Sequence, residues 1–241
     1  MPGVPLSTYL FAFAMVALGC CVQSSVGFGA NLVAMPTIAL LAPELVPGAA
    51  LFAISIMNIL MFLRDWHGLE LKPVGDALMG RVVGTVIGAS LLGKLSEDGL
   101  RLLIAIVVLL IVVISLVSIA PRRTRVNMIT AGTVSGFGAS TAGIGGPPVA
   151  LMFQNAKGHN IRGSMAGFFM VGTVMTLIGL TFAGEFGTHE LKWGASLVPA
   201  AVVGFAASRF AIPYVDRGYT RPAILILSST AAVVLVLRVL L

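Results

Sequence analysis

Charged residues are scarce in this chain. Asp, Glu, Lys and Arg make up 10% of its 241 residues, hydrophobic residues make up 58%, and the mean hydropathy is +1.03. Soluble domains carry about 25% charged residues, so this composition excludes a water-soluble globular protein. Most of the apolar runs have roughly the 20 residues that one transmembrane helix needs. We therefore predict an all-α polytopic membrane protein, with apolar runs at roughly 6–42, 47–63, 74–93, 102–120, 126–156, 163–183, 193–212 and 222–240.

Acidic residues are missing from the middle of every apolar run. Glu44 and Asp76 both lie close to predicted ends. Because proton-coupled transport usually relies on a carboxylate at membrane depth, the sequence gives proton coupling little support. Sodium coupling through backbone carbonyl groups stays open, and so does transport without a coupling ion.

Cysteine and histidine are also rare. Cys20 and Cys21 are adjacent, which suits packing in a helix, and the three histidines fall in connections without a second ligand at metal-binding spacing. We therefore expect no metal site and no cofactor. An enzyme with Ser24 or Ser140 as nucleophile would need a general base, and no His or Lys lies at membrane depth. We expect that the protein is not an enzyme.

The net charge of +6 does not point to nucleic acid. The cations stand singly or in small groups at the ends of apolar runs, with no aromatic platform beside them. Control of membrane topology explains them better. The expected partners are the lipid bilayer and a small solute, and the sequence leaves a homo-oligomer open.

Two glycine motifs interrupt the longest apolar runs. They read SSVGFG at 24–29 and STAGIG at 140–145, and they lie 116 residues apart. Further along, the offset becomes 120, so that Gly84 aligns with Gly204. This repeat predicts two homologous halves, each with a broken helix or hairpin followed by three transmembrane helices. The predicted halves are residues 1–120 and 121–241.

The distribution of Lys and Arg decides how the halves are oriented. If each broken segment crossed the membrane, the 15 cations would split almost evenly between the two faces. If each instead enters and returns as a hairpin, the halves are inverted and the cations divide eleven to four, as the positive-inside rule expects. We therefore predict inverted repeats, with both termini outside and the hairpin tips meeting near the midplane. The cationic face would carry Arg64, Lys72, Arg81, Arg122, Arg123, Arg125, Lys157, Arg162, Arg209, Arg217 and Arg221, and the other face Lys94, Arg101, Lys192 and Arg238.

The interrupted segments have the chemistry of an anion site. Glycines leave backbone N–H groups free, and half-helices beginning near Ala30 and Pro147 would point their positive dipole ends inward. Hydroxyl and amide side chains add donors, although close packing of small residues is the simpler alternative for any single glycine. We expect Phe28 and the Phe168–Phe169 pair mainly to pack. The candidate substrate site is Gln23, Ser24, Ser25, Gly27, Phe28, Gly29, Asn31, Asn58, Ser140, Thr141, Gly143, Gly145, Gly146 and Pro147.

Two arginines lie inside apolar runs rather than at clear ends. A guanidinium binds oxyanions well, so Arg81 and Arg209 could face the site. We expect instead that both side chains extend to the cytoplasmic surface, as long cationic side chains commonly do.

The second motif continues as Gly143-Ile144-Gly145-Gly146-Pro147-Pro148. These paired Gly-x-Gly segments, within two halves of four segments, resemble the sulfite exporter TauE/SafE family over essentially the whole chain. The resemblance implies a multi-pass transporter of the bacterial inner membrane that moves sulfite, sulfoacetate or sulfonate-type anions. It also implies that residues 24–31 and 140–148 form the substrate site. Alternating access by a secondary transporter is the function we favour, and an anion channel of the same architecture is the alternative.

Overall fold

The computed structural model describes residues 5–41, 45, 47–92 and 122–219, which form helices and connections with no strand among them. Five of these helical segments are long and apolar enough to cross a membrane, which confirms the predicted class of membrane protein. The predicted runs at 102–120 and 222–240, and the boundary between the two halves, lie outside the described residues. The helices are α1 (Leu6–Val26), α2 (Ala30–Leu41), α3 (Gly48–Asp65), α4 (Leu71–Leu92), α5 (Arg125–Ala142), α6 (Gly146–Phe153), α7 (Gly158–Phe182) and α8 (Thr188–Tyr214).

The first glycine motif ends one helix and starts another. α1 stops at Gly27, whose φ of 114° is left-handed and whose N–H bonds to the Gln23 carbonyl at 2.7 Å. A Cβ on Gly19 would lie 2.7 Å from the Ala30 carbonyl oxygen. Eleven residues of continuous helix would place these positions about 16 Å apart, so the chain folds back and α1 and α2 form hairpin 1.

The second motif produces the same turn. α5 ends at Gly143, with a φ of 72°, and α6 begins with Pro147 and Pro148 in its first turn, where a proline loses no hydrogen bond. A Cβ on Gly145 would lie 2.6 Å from the Ser135 carbonyl oxygen, so α6 folds back on α5 to form hairpin 2. The predicted helix breaks and the proline-led helix start are confirmed.

Glycine lets α4 and α5 pack side by side. A Cβ on Gly80 would overlap the carbonyl of Ile129, and one on Gly84 would overlap the carbonyl of Thr133. Because the contacts advance together along both helices, α4 and α5 run parallel. Glycines four residues apart permit this close approach of helix backbones in membranes.

The pair α1 and α8 repeats this arrangement. The Tyr9 hydroxyl donates to the Ser196 carbonyl at 2.9 Å, and a Cβ on Gly204 would overlap the Ala17 carbonyl, so these helices are also parallel. Gly204 lies 120 residues after Gly84, and Thr133 lies 116 residues after Ala17, which are the offsets of the sequence repeat. Glycines at equivalent positions of the sequence repeat therefore make equivalent contacts, and α4 and α8 each pack on the first helix of the other predicted half.

Ion pairs gather several helix ends on one side. Arg162 bonds to Asp216 at 2.7 Å, Arg123 bonds to Glu70 at 2.7 Å, and Arg125 lies 3.4 Å from Asp76. The first pair joins the C-terminal end of α8 to the N-terminal end of α7, and the other two join the N-terminal ends of α4 and α5. The N–H of Glu70, just before α4, donates to Ser164 Oγ on α7 at 3.0 Å, so all four helix ends lie on the same side. We call this side the basic face, defined by Arg64, Glu70, Asp76, Arg123, Arg125, Arg162 and Asp216.

Candidate functional site

The tips of the two hairpins meet. Asn31 in the first turn of α2 donates its side-chain Nδ2–H to the carbonyl of Gly143, 2.7 Å away in hairpin 2. Beside this contact lies a small cavity of about 20 Å³, on a scale where one water molecule needs roughly 10–15 Å³. Its walls are Gln23, Gly29, Asn31, Leu32, Leu51, Ile54, Asn58, Arg81, Ala139, Ile144, Gly145, Gly146, Phe169 and Thr173.

A chain of buried side-chain amides holds hairpin 1 against its neighbours. Gln23 accepts the N–H of Ala30 at 3.0 Å and donates to Asn58 Oδ1 at 2.6 Å. Asn58 then donates to Thr173 Oγ1 on α7 at 3.1 Å. Gln23 thus caps the start of α2, and the network connects α1, α3 and α7 around the cavity. A buried polar network stabilises a structure only when its groups are satisfied. These amide hydrogen bonds form only when the tip of hairpin 1 lies in this position, so the network holds the tip in place.

Hairpin 2 is held by a hydroxyl group from its own first helix. Ser135 donates its Oγ–H to the Gly145 carbonyl. Gly146 follows at the cavity wall, where a Cβ would lie 3.3 Å from Phe169 and 3.4 Å from Phe28. The start of α6 is therefore enclosed by aromatic rings from α7 and hairpin 1.

The hydroxyl groups of the motifs do not line the cavity. Ser25 donates to Cys21 at 2.7 Å, Ser140 to Gly136 at 2.8 Å and Thr141 to Phe137 at 2.7 Å, each to a carbonyl of its own helix. Such bonds to a preceding turn are common for Ser and Thr in helices. Ser24 is buried, its hydroxyl has no partner in the described part of the chain, and its carbonyl accepts from Arg64 at 2.5 Å.

The remaining predicted residues shape the turns. Gly27 and Gly143 supply the left-handed backbone that ends α1 and α5. Phe28 and Pro147 are buried behind the tips, without lining the cavity. Of the candidate site, the structure thus brings six residues together at the cavity: Gln23, Gly29, Asn31, Asn58, Gly145 and Gly146.

The prediction that Arg81 extends to the surface is wrong. Its side chain is 2% exposed and lines the cavity. The guanidinium donates to Ser135 Oγ at 3.1 Å and to Thr176 Oγ1 at 3.3 Å, and its Cζ lies 4.8 Å from the centre of the Phe168 ring. Glycine at 172 makes this possible, since a Cβ there would overlap the guanidinium. Arg209, in contrast, is exposed.

Sequence reasoning missed several cavity residues. Phe169 lines the cavity, although we expected the aromatic pair mainly to pack. Thr173 lies on α7 opposite Asn58, and Ser135 connects Arg81 with Gly145. The offset of 115 between Asn58 and Thr173 is close to that of the repeat and could have indicated the pair.

The cavity has a positive electrostatic character. α2 and α6 begin at its walls, so the positive ends of their dipoles lie there. α1, α2, α5, α6 and α7 contain no Asp or Glu, and the described ion pairs lie at helix ends instead. Positive dipole ends and N–H donors of this kind favour an anion.

The sequence model of the sulfite exporter TauE/SafE family matches residues 11–235 of the chain. This match confirms the resemblance found in the glycine motifs. No curated protein and no solved structure matches the chain.

Proposed function

Because the chain belongs to the sulfite exporter TauE/SafE family, we propose that it is a secondary transporter of small sulfur-containing anions in the bacterial inner membrane. Sulfite, sulfoacetate and sulfonates are the substrate types. The observation that carries the proposal is the shared cavity, where the interrupted helices of both repeats meet through Asn31 and Gly143. In hydrocarbon, interrupted backbone is tolerated where it is buried in protein or lines a cavity, and in transporters such breaks commonly mark the substrate site.

We assign substrate contact to the six predicted residues at the cavity. Asn31 and the backbone at Gly29, Gly145 and Gly146 supply donors at helix starts, where anions are favoured. Gln23 and Asn58 hold the first tip through the amide chain. The hydroxyl residues of both motifs have a structural role instead, in the last turns of α1 and α5 behind the tips.

Alternating access is the proposed mechanism, with the two repeats inverted in the membrane. The direction of the helices supports inversion. α5 begins at the basic face, where Arg125 meets Asp76. α1 runs parallel to α8, whose C-terminal end reaches the same face through Asp216 and Arg162. Equivalent helices therefore run in opposite directions, as two inverted halves that rock around a central site require.

The anion channel that the sequence left open gains no support from the family match, which is to exporters. Because the family match is to exporters, it supports a transporter rather than an enzyme. A carrier saturates with substrate and turns over far more slowly than a channel conducts.

Binding tests the proposal first. The melting temperature of the detergent-purified protein is measured with sulfite, sulfoacetate, taurine, sulfate, acetate and chloride. A ligand that binds only the folded state raises the melting temperature, so we expect stabilisation by sulfite or a sulfonate and little by acetate or chloride. No stabilisation by any sulfur-containing anion would contradict the proposal.

A further inference from the structure

Among the described residues that line the cavity, Arg81 alone carries a charge. We propose that it binds the anionic head group of the substrate and makes the site selective for negative charge. This inference rests on the proposed transport function and assigns a residue to its specificity. Arg81 lies ten residues into the 22-residue helix α4, about 15 Å from the start of that helix, and therefore near the middle of the membrane.

The charge of Arg81 has no protein counter-charge in the described part of the chain. Its polar contacts are the neutral hydroxyl groups of Ser135 and Thr176, and Phe168 contributes only the face of its ring. A guanidinium cannot lose its proton to escape burial, and an unpaired buried charge is strongly unfavourable. An anion in the cavity supplies the charge that the protein does not.

The surroundings of Arg81 fix its orientation. Ser135 gives its own proton to the Gly145 carbonyl, and Thr176 gives its proton to the Gly172 carbonyl at 3.0 Å. Both hydroxyl oxygens are therefore left to accept from Arg81. The missing side chain of Gly172 provides the space for the guanidinium. Such a preorganised side chain loses little entropy when it binds a ligand.

The donors that remain indicate an oxyanion. A guanidinium has five N–H groups, and two hydrogen bonds to hydroxyl oxygens occupy only part of this capacity. The Nε–H of Arg81 has no partner among the described residues. A guanidinium fork can hold two oxygens of one sulfonate or sulfite group. Through Ser135 and Gly145, this charge is also coupled to the tip of hairpin 2.

The alternative role for Arg81 is purely structural, joining α4, α5 and α7. The two roles differ in what a substitution changes. Arg81→Met keeps a long flexible side chain that packs well on an aromatic ring and removes the charge. A structural role predicts a lower melting temperature with unchanged relative affinity for charged and neutral ligands. A binding role predicts that this relative affinity changes, because only the charged ligand gains from the guanidinium.

The test uses two probes of the same shape, anionic methanesulfonate and neutral methanesulfonamide. Their affinities are measured from the melting temperature of the full-length protein, for the wild type, Arg81→Met, Arg81→Lys and the control Arg209→Met. Arg209 is an exposed arginine on α8, the helix equivalent to α4. We expect the wild type and the control to prefer methanesulfonate by roughly tenfold or more, the order of one charged hydrogen bond.

Arg81→Met is expected to lose this preference, and Arg81→Lys is expected to keep a preference for charge with roughly tenfold weaker affinity, since lysine lacks the planar fork. An unchanged preference in Arg81→Met would overturn the inference. If Arg81→Met did not fold, wild-type affinity in Arg81→Lys would overturn it instead. If the wild type bound neither methanesulfonate nor sulfite, the proposed function itself would fail, which separates the two outcomes.

Discussion

Asn31 of hairpin 1 donates a hydrogen bond of 2.7 Å to the carbonyl of Gly143 in hairpin 2, across 112 positions of sequence. The bond joins the two interrupted helices at the wall of the cavity. The Asn31 amide has two N–H groups and gives one of them to Gly143, so the same amide can also donate to an anion in the cavity. The relative position of the two tips is therefore linked directly to a residue that we assign to substrate contact.

Asn31→Ala tests this link. The substitution removes one buried hydrogen bond and one polar group at the cavity, so we expect substrate affinity to fall about tenfold, equivalent to about 1.4 kcal/mol. The change in affinity is measured from the initial rates of sulfite transport in proteoliposomes over a range of sulfite concentrations. Asn127→Ala is the matched control, because Asn127 makes an exposed bond of 2.8 Å to the Arg122 carbonyl far from the cavity. Equal affinities in the two variants would contradict the assignment.

Gly145→Ala tests the close contact within hairpin 2. A Cβ at this position would lie 2.6 Å from the Ser135 carbonyl oxygen, so the start of α6 must move. We expect transport to fall roughly tenfold or more, because a site that is displaced from its binding geometry loses affinity steeply. Gly75→Ala is the control, since a Cβ there meets no atom within 4 Å and alanine favours helix. Normal transport in Gly145→Ala would contradict a substrate site at the start of α6.

α4 packs on α5 and α8 packs on α1 through glycines at equivalent positions of the repeat. Substitution of either glycine should therefore lower the stability of the protein to a similar extent. Gly84→Val and Gly204→Val each insert a branched side chain into a backbone contact, with Thr133 and Ala17 respectively. Overpacking of this kind costs about 1–3 kcal/mol, so both variants should melt at a lower temperature than the wild type. Gly75→Val has open space around it and should lose less. A marked loss in only one of the two equivalent variants would argue against reciprocal contacts.

Inversion of the repeats predicts where their first helices begin. Ser7 in the first turn of α1 and Arg123 just before α5 should lie on opposite sides of the membrane. In a background with Cys20 and Cys21 replaced by alanine, Ser7→Cys and Arg123→Cys can be labelled with a membrane-impermeant maleimide on intact cells and on inverted vesicles. We expect each cysteine to be labelled in only one preparation, and a different one for each. Labelling of both in the same preparation would mean parallel repeats.

The hairpins could be predicted from sequence because their causes are local. Gly27 and Gly143 adopt a left-handed backbone that other residues disfavour, and Pro147 and Pro148 can begin a helix but not continue one. The helix breaks therefore need no knowledge of the rest of the chain. That the interrupted segments fold back was predicted from the division of all 15 cations between the two faces, which does use the whole chain.

The direction of each side chain could not be predicted in the same way. Successive residues of a helix point about 100° apart, so Gln23 faces the cavity while Ser24 next to it does not. Three of the four hydroxyl groups that suggested a donor-rich pocket, those of Ser25, Ser140 and Thr141, bond to their own helices instead. Only the packing of α1 and α5 against their neighbours determines which residue of each motif reaches the cavity.

The position of Arg81 depends equally on distant residues. An arginine near the middle of an apolar run normally reaches the surface with its long side chain. Here Gly172 provides space, and Ser135 and Thr176 provide acceptors, from two other helices. None of these contacts is visible in the sequence around residue 81, which explains why the expectation for this residue was wrong.

The measurement that tests the account most directly is the initial rate of labelled sulfite or sulfonate uptake into proteoliposomes, as a function of concentration, for the wild type, Gly145→Ala and Gly75→Ala. We predict saturable uptake in the wild type and in Gly75→Ala, and strongly reduced uptake in Gly145→Ala. Uptake that rises linearly without saturation, or that is the same in Gly145→Ala as in the wild type, would contradict a carrier whose substrate site lies between the two hairpin tips.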